Sequence, residues 1–130
     1  MSIDEASRTT LFLKYSKHFL NYTYAFEAKI CKSPSLPFDA VQDHQIAALY
    51  QAKHSIFNHK IADGAYSPLP FDGFQMMMVP SFVIIFWYQH RNDKRFTMID
   101  IDAFCEEEST SKRKSLTYER SCEIGKCLEL

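Results

Sequence analysis

The chain has 130 residues, 46% of them hydrophobic and 15% aromatic, which excludes a disordered chain and predicts a single domain with a core of its own. Its net charge of −1 excludes an overall basic field, so any contact with nucleic acid falls to short clusters such as Lys29 with Lys32 and Lys112-Arg113-Lys114. The longest apolar run, 76–88, is interrupted by Pro80 and Ser81 and is too short for a membrane helix of about 20 residues.

In chain order, Leu11, Tyr15 and Phe19 recur every fourth residue, predicting an amphipathic helix over 4–19 whose Leu11 row covers a sheet. The polar start of the chain predicts no secretory leader. Residues 22–30 alternate as a strand, with Glu27 and Lys29 side by side on one face. A proline-bearing loop over 31–38 leads to Asp39, a helix N-cap with Gln42 three residues on, and a helix to His54. On that helix Gln45 shares a stripe with Val41, Ala48 and Ala52 and so points inward, either to cap a backbone group or to support a site.

A short strand over 56–61 ends in the turn signal Ala62-Asp63-Gly64, and a strand over 71–76 carries Asp72. The wholly apolar 81–88 reads as a strand buried on both faces, joined by a polar turn at 89–94 to a hairpin partner over 95–101. Asp100 and Asp102 would alternate along its solvent edge. The charged 106–114 reads as a mobile loop, and a terminal helix begins at Ser115 or Thr117, with Ile124, Cys127 and Leu128 as its apolar stripe. Cys31, Cys105, Cys122 and Cys127 lack zinc-site spacing and read as reduced thiols. Strands with helices between them predict an α/β domain with a mixed sheet.

An acid and a lysine on one strand face admit two readings. They are a solvated ion pair, or they hold a divalent cation and handle the proton of a water, as hydrolysis requires. Three patterns bear on the choice: Phe26-Glu27-Ala28-Lys29; Ser35-Leu36-Pro37-Phe38 leading to His44-Gln45; and Lys60-Ile61-Ala62-Asp63 followed by Pro70-Phe71-Asp72. Together, over about 24–104, they resemble the PD-(D/E)XK nuclease superfamily, in particular the Holliday-junction resolvase-like enzymes of phages and bacteria.

The resemblance implies a restriction-endonuclease-like mixed sheet flanked by helices and a Mg²⁺- or Mn²⁺-dependent endonuclease acting on branched or duplex DNA. It implies a homodimer in the cytosol of a bacterial or phage-infected cell. Glu27, Asp72 and the main-chain carbonyl of Ala28 would hold the metal, Lys29 would position or activate water, and Gln45 would support the site. Asp63, Lys60 and Glu5 stand as secondary candidates, each with an ordinary surface or turn role as its alternative, and Lys32, Arg113 and Lys114 as DNA contacts. One departure stands out: the family places its aspartate before the Glu-X-Lys strand, whereas Asp72 follows it. The site therefore requires the Asp72 strand to pair non-locally beside the Glu27 strand. The competing expectation is a non-catalytic nucleic-acid-binding or protein-interaction module on the same fold.

Overall fold

A computed structural model of the chain describes residues 4–61 and 69–130. In order it contains α1 (Glu5–Ser16), β1 (Ala25–Cys31), β2 (Ser35–Pro37), a 3-10 turn (Phe38–Ala40), α2 (Asp43–His54), β3 (Ile56–Lys60) and β4 (Gly73–Met77). Then follow β5 (Ser81–Trp87), β6 (Arg95–Asp100), α3 (Ile101–Thr110), β7 (Ser115–Thr117), α4 (Tyr118–Ile124) and β8 (Lys126–Glu129). The fold is mixed α/β, as the alternation of elements predicts. Among the described residues no helix is long and apolar enough to cross a membrane.

The central sheet runs β1-β5-β6-β8. β1 and β5 are parallel, and the other two pairings are antiparallel. β5 lies inside the sheet and buries side chains on both faces, which accounts for its unbroken apolar sequence. Val83, Ile85 and Trp87 pack with Ile99, Ile101 and Phe104 in the core that also takes Leu49 of α2. Ile84 and Phe86 pack with Phe96 and Met98 around Phe12 of α1. Phe12 meets Phe26, Phe86 and Phe96 edge to face, with centroids 5.4 to 6.1 Å apart.

Five expectations are corrected. α1 forms, capped by Asp4 accepting from the Ser7 N–H at 2.8 Å, but the row it buries is Arg8, Phe12 and Ser16. Leu11 and Tyr15 remain 41% and 38% exposed. Arg8 lies inside because its guanidinium donates to the Asp93 carbonyl at 2.7 Å, a polar anchor that a hydrophobicity pattern does not register.

The charged 106–114 is not a loop throughout, since its first part completes α3. Glu107 is buried there because Arg120 of α4 donates to both its oxygens at 2.6 and 3.0 Å. Asp100 ends β6 and caps α3 by accepting from the Asp102 N–H at 3.0 Å, so these two acids do not alternate along a strand.

The terminal helix starts after Thr117, which caps it. However, Gly125 ends it and Cys127 and Leu128 belong to β8. A Cβ on Gly125 would stand 2.5 Å from the Met98 carbonyl, so only glycine admits this close return to β6. The return brings Cys122 and Cys127 together as a disulfide with Cα atoms 5.2 Å apart, so the expectation of four reduced thiols holds for Cys31 and Cys105 alone.

Candidate functional site

β1 carries Glu27 and Lys29 at the edge of the sheet. In register they pair with Val83 and Ile85, and paired residues share a face, so both project toward the α2 side. There the predicted inward turn of Gln45 is met: its Nε2 donates to Glu27 Oε1 at 3.0 Å. Its own Oε1 accepts from the Gln42 N–H at 3.0 Å, completing a capping box at the start of α2. Gln45 therefore caps a backbone group and holds Glu27 with the other end of the same amide. Lys29 Nζ lies 3.4 Å from the same Glu27 oxygen, with the two side chains only 16% and 28% exposed. Beside them opens a cleft of about 340 Å³ lined by Phe26, Glu27, His44, Gln45, Phe57 and Met76 among others.

The backbone of β1 alternates as strictly as its side chains. Ala25 N–H donates to the Pro80 carbonyl and Tyr88 N–H to the Cys31 carbonyl, at 2.9 and 2.8 Å. Odd-numbered groups thus face β5, and the N–H and C=O groups of Phe26, Ala28 and Ile30 face away from the sheet. On that open edge Glu5 is the acid in reach: its Oε2 accepts from the Ile30 N–H at 3.2 Å. The Ala28 carbonyl points to the same side.

Asp72 does not join this group as expected. β4 pairs with β3 in a separate two-stranded sheet, and β1 has β5 as its one strand neighbour among the described residues. The reason is local. The β3–β4 hairpin completes its own ladder and hangs from the end of α2, with Met78 N–H donating to Ser55 and Val79 N–H to Ala52 at 3.0 and 2.8 Å. Exposed Asp72 contributes its carbonyl to the Ile61 N–H at 2.7 Å. Lys60 is exposed at the end of β3, and Asp63 lies outside the described residues. Lys32, Arg113 and Lys114 are exposed. Lys32 follows β1, while Arg113 and Lys114 precede β7, where Lys114 C=O accepts from the Phe38 N–H ahead of α2 at 3.0 Å. Among the described residues no group of three His, Cys, Asp or Glu is arranged to hold a metal.

A second charged group escaped the sequence reading. Lys53 at the end of α2 donates to Asp100 Oδ1 and Oδ2 at 2.8 and 2.9 Å and to Asp102 Oδ2 at 2.5 Å. His54 Nε2 adds a contact to Asp102 Oδ1 at 2.8 Å. Hydrogen bonding to Asp100 and then Asp102 raises the Lys53 pKa. Hydrogen bonding from Lys53, then from His54, lowers that of Asp102. The only sequence signal was the adjacency of Lys53-His54 and the spacing of Asp100 and Asp102, which nothing linked across 47 residues.

A scan of protein-family models finds none matching the chain, and a search of curated proteins finds no significant match.

Proposed function

We propose that the chain is a metal-dependent endodeoxyribonuclease that hydrolyses DNA phosphodiester bonds, in the manner of the Holliday-junction resolvase-like enzymes it resembles. The observation that carries the reading is the convergence of Gln45, Glu27 and Lys29 from two elements beside an open cleft. A solvated strand pair would not need a half-buried amide from a facing helix to hold its acid.

The donors suit a hard cation, which prefers oxygen and in the case of Mg²⁺ takes one or two carboxylates with water and phosphate completing its shell. Glu27 and the Ala28 carbonyl would hold it, and Glu5, on the same edge as that carbonyl, is the further carboxylate in place of Asp72. Bound there, the cation supplies Lewis-acid stabilisation of charge on the phosphoryl oxygens. Lys29 orients the attacking water and offsets phosphate charge. Gln45 fixes the rotamer of Glu27. Exposed Lys32, Arg113 and Lys114 serve the sugar-phosphate backbone rather than base edges.

The test is incubation with supercoiled, linear and four-way-junction DNA in Mg²⁺ or Mn²⁺. Glu27→Ala and Lys29→Ala are each expected to slow cleavage by about 100-fold or more; cleavage that persists in both variants would remove the assignment. The separation of the Asp72 hairpin from β1 favours a second reading, a nucleic-acid-binding module without catalysis. Its signature is retention of junction DNA with no cleavage by the unmodified chain in either metal.

A further inference from the structure

β3 and β4 pair with Phe57 opposite Met76 and His59 opposite Phe74, and residues in register share a face. Phe57, His59, Phe74 and Met76 therefore form one side of the hairpin, while the other sets Asn58 against Gln75, whose side chains are joined at 2.8 Å. Phe57 and Met76 line the cleft that holds Glu27, His44 and Gln45, so the aromatic side is the one turned to the candidate site. β3 begins directly after α2, which places His59 and Phe74 about 7 Å further out along the same wall.

The three rings lie together. Phe57 and His59 are nearly parallel, with 12° between their planes and centroids 6.3 Å apart, and His59 and Phe74 are tilted by 32° at 5.2 Å. Phe74 is 41% exposed, and His59 is exposed beside it. None of the three belongs to either buried cluster of the domain, so core packing does not account for them.

We propose that this wall is a stacking platform for an unpaired base of single-stranded DNA, seated on Phe57, His59 and Phe74 with its phosphate toward Lys29. Every base has a π face, so stacking on aromatic side chains tolerates any sequence. Phe57, His59, Phe74 and Met76 carry no carboxylate or ammonium, which suits a neutral planar group, and the positive charge for the sugar-phosphate backbone stands apart from them on Lys29 of β1. The cleft of about 340 Å³ lies at the small end of the range for ligand pockets and has room for one base rather than for a paired stack.

Within a duplex each base is covered on both faces by its neighbours, and freeing one costs unstacking and unpairing. The platform thus selects unpaired ends and gaps over continuous duplex. This occupant rests on the cleavage reading, which puts DNA at Glu27 and Lys29, and deepens it by making the strand that enters the cleft an unpaired one.

The experiment is fluorescence anisotropy of the full chain with labelled oligonucleotides at low salt in chelator, so that nothing is cut, with circular dichroism confirming that each variant is folded. A single-stranded oligonucleotide is expected to bind about tenfold more tightly than the same sequence as a duplex, and about tenfold more tightly than an abasic sugar-phosphate oligomer of equal length. His59→Ala and Phe74→Leu are each expected to lose about tenfold on the single strand and little on the duplex, whereas Phe74→Tyr, which keeps the ring, binds as the unmodified chain does. A chain that binds no single strand, one that binds the abasic oligomer equally well, or a folded Phe74→Leu variant with undiminished binding would each overturn the proposal. A chain that stacks bases but does not cleave in Mg²⁺ or Mn²⁺ leaves the platform standing and removes the cleavage reading, and one that cleaves but ignores the bases does the reverse.

Discussion

Gln45 Nε2 donates to Glu27 Oε1 at 3.0 Å across 18 residues of sequence, while the other end of the same amide caps α2. The helix start and the orientation of the acid are therefore set by one side chain. Gln45→Glu separates the two roles, because a carboxylate still accepts from the Gln42 N–H but has no proton to donate and repels Glu27. Thermal stability is expected to change little. Cleavage and Mn²⁺ affinity are expected to fall by about 10- to 100-fold, the usual effect of losing a group that orients a ligand. Calorimetric metal titration alongside the cleavage assay checks both.

Asp93 is the most enclosed carboxylate described, with a fully buried side chain. Burial alone would raise its pKa. Two hydrogen bonds from the Arg95 side chain and one each from the Gln89 and Arg95 N–H groups outweigh that and hold it at about 2. Because the folded pKa lies below the unfolded value of 3.8, its stabilisation is complete above pH 3.8 and is lost as the pH falls toward 2. The contribution is on the order of 2 kcal/mol. Asp93→Asn is expected to destabilise the fold by roughly 3 kcal/mol at neutral pH, since it strands the Arg95 guanidinium, and to flatten the acid limb of a urea-denaturation series run against pH.

Lys53 neutralises two acids at once, yet Asp100 and Asp102 are 37% and 38% exposed, so solvent screens the network. Lys53→Met is expected to cost only about 1 kcal/mol. The sharper readout is the Asp102 carboxyl itself, whose lowered pKa depends first on Lys53 and then on His54. Titration followed by NMR is expected to show it moving up toward the ordinary aspartate range in the variant. The stability Asp102 confers above its unfolded pKa, and yields as the pH falls, shrinks accordingly.

The Cys122–Cys127 bridge closes a short loop between α4 and β8. In the chain-entropy account such a loop contributes about 2 kcal/mol. Reductant is expected to lower the melting temperature of the unmodified chain to that of the Cys122→Ser/Cys127→Ser variant and to leave the variant unchanged.

Period-two alternation was enough to find β1 and to place Glu27 beside Lys29, and helical spacing was enough to turn Gln45 inward, because both rest on the geometry of one element. The apolar run of β5 was legible for the same reason. What failed was everything that depended on a partner distant in sequence. Arg8 is buried by a carbonyl 85 residues away, so the apolar row on α1 pointed one residue out of phase. Glu107 folds into α3 because Arg120 meets it, which made a charged helix look like a loop. Asp72 falls just before β4 rather than on the expected strand, and β4 takes its partner β3 from the same hairpin instead of crossing to β1.

Trp87, the sole tryptophan, is 1% exposed in the middle of the sheet. Its indole N–H donates to Thr97 Oγ1 at 3.0 Å, and its ring meets Tyr118 edge to face at 5.6 Å. It is also in register with Cys31 at the end of β1. A single chromophore thus touches the strand bearing the acid–lysine pair, the hairpin strand β6 and the terminal helix. Its emission is expected to be that of an indole shielded from water, with collisional quenchers reaching it only when the sheet opens, so one fluorescence channel reports the integrity of the core cluster on the α2 side in every variant.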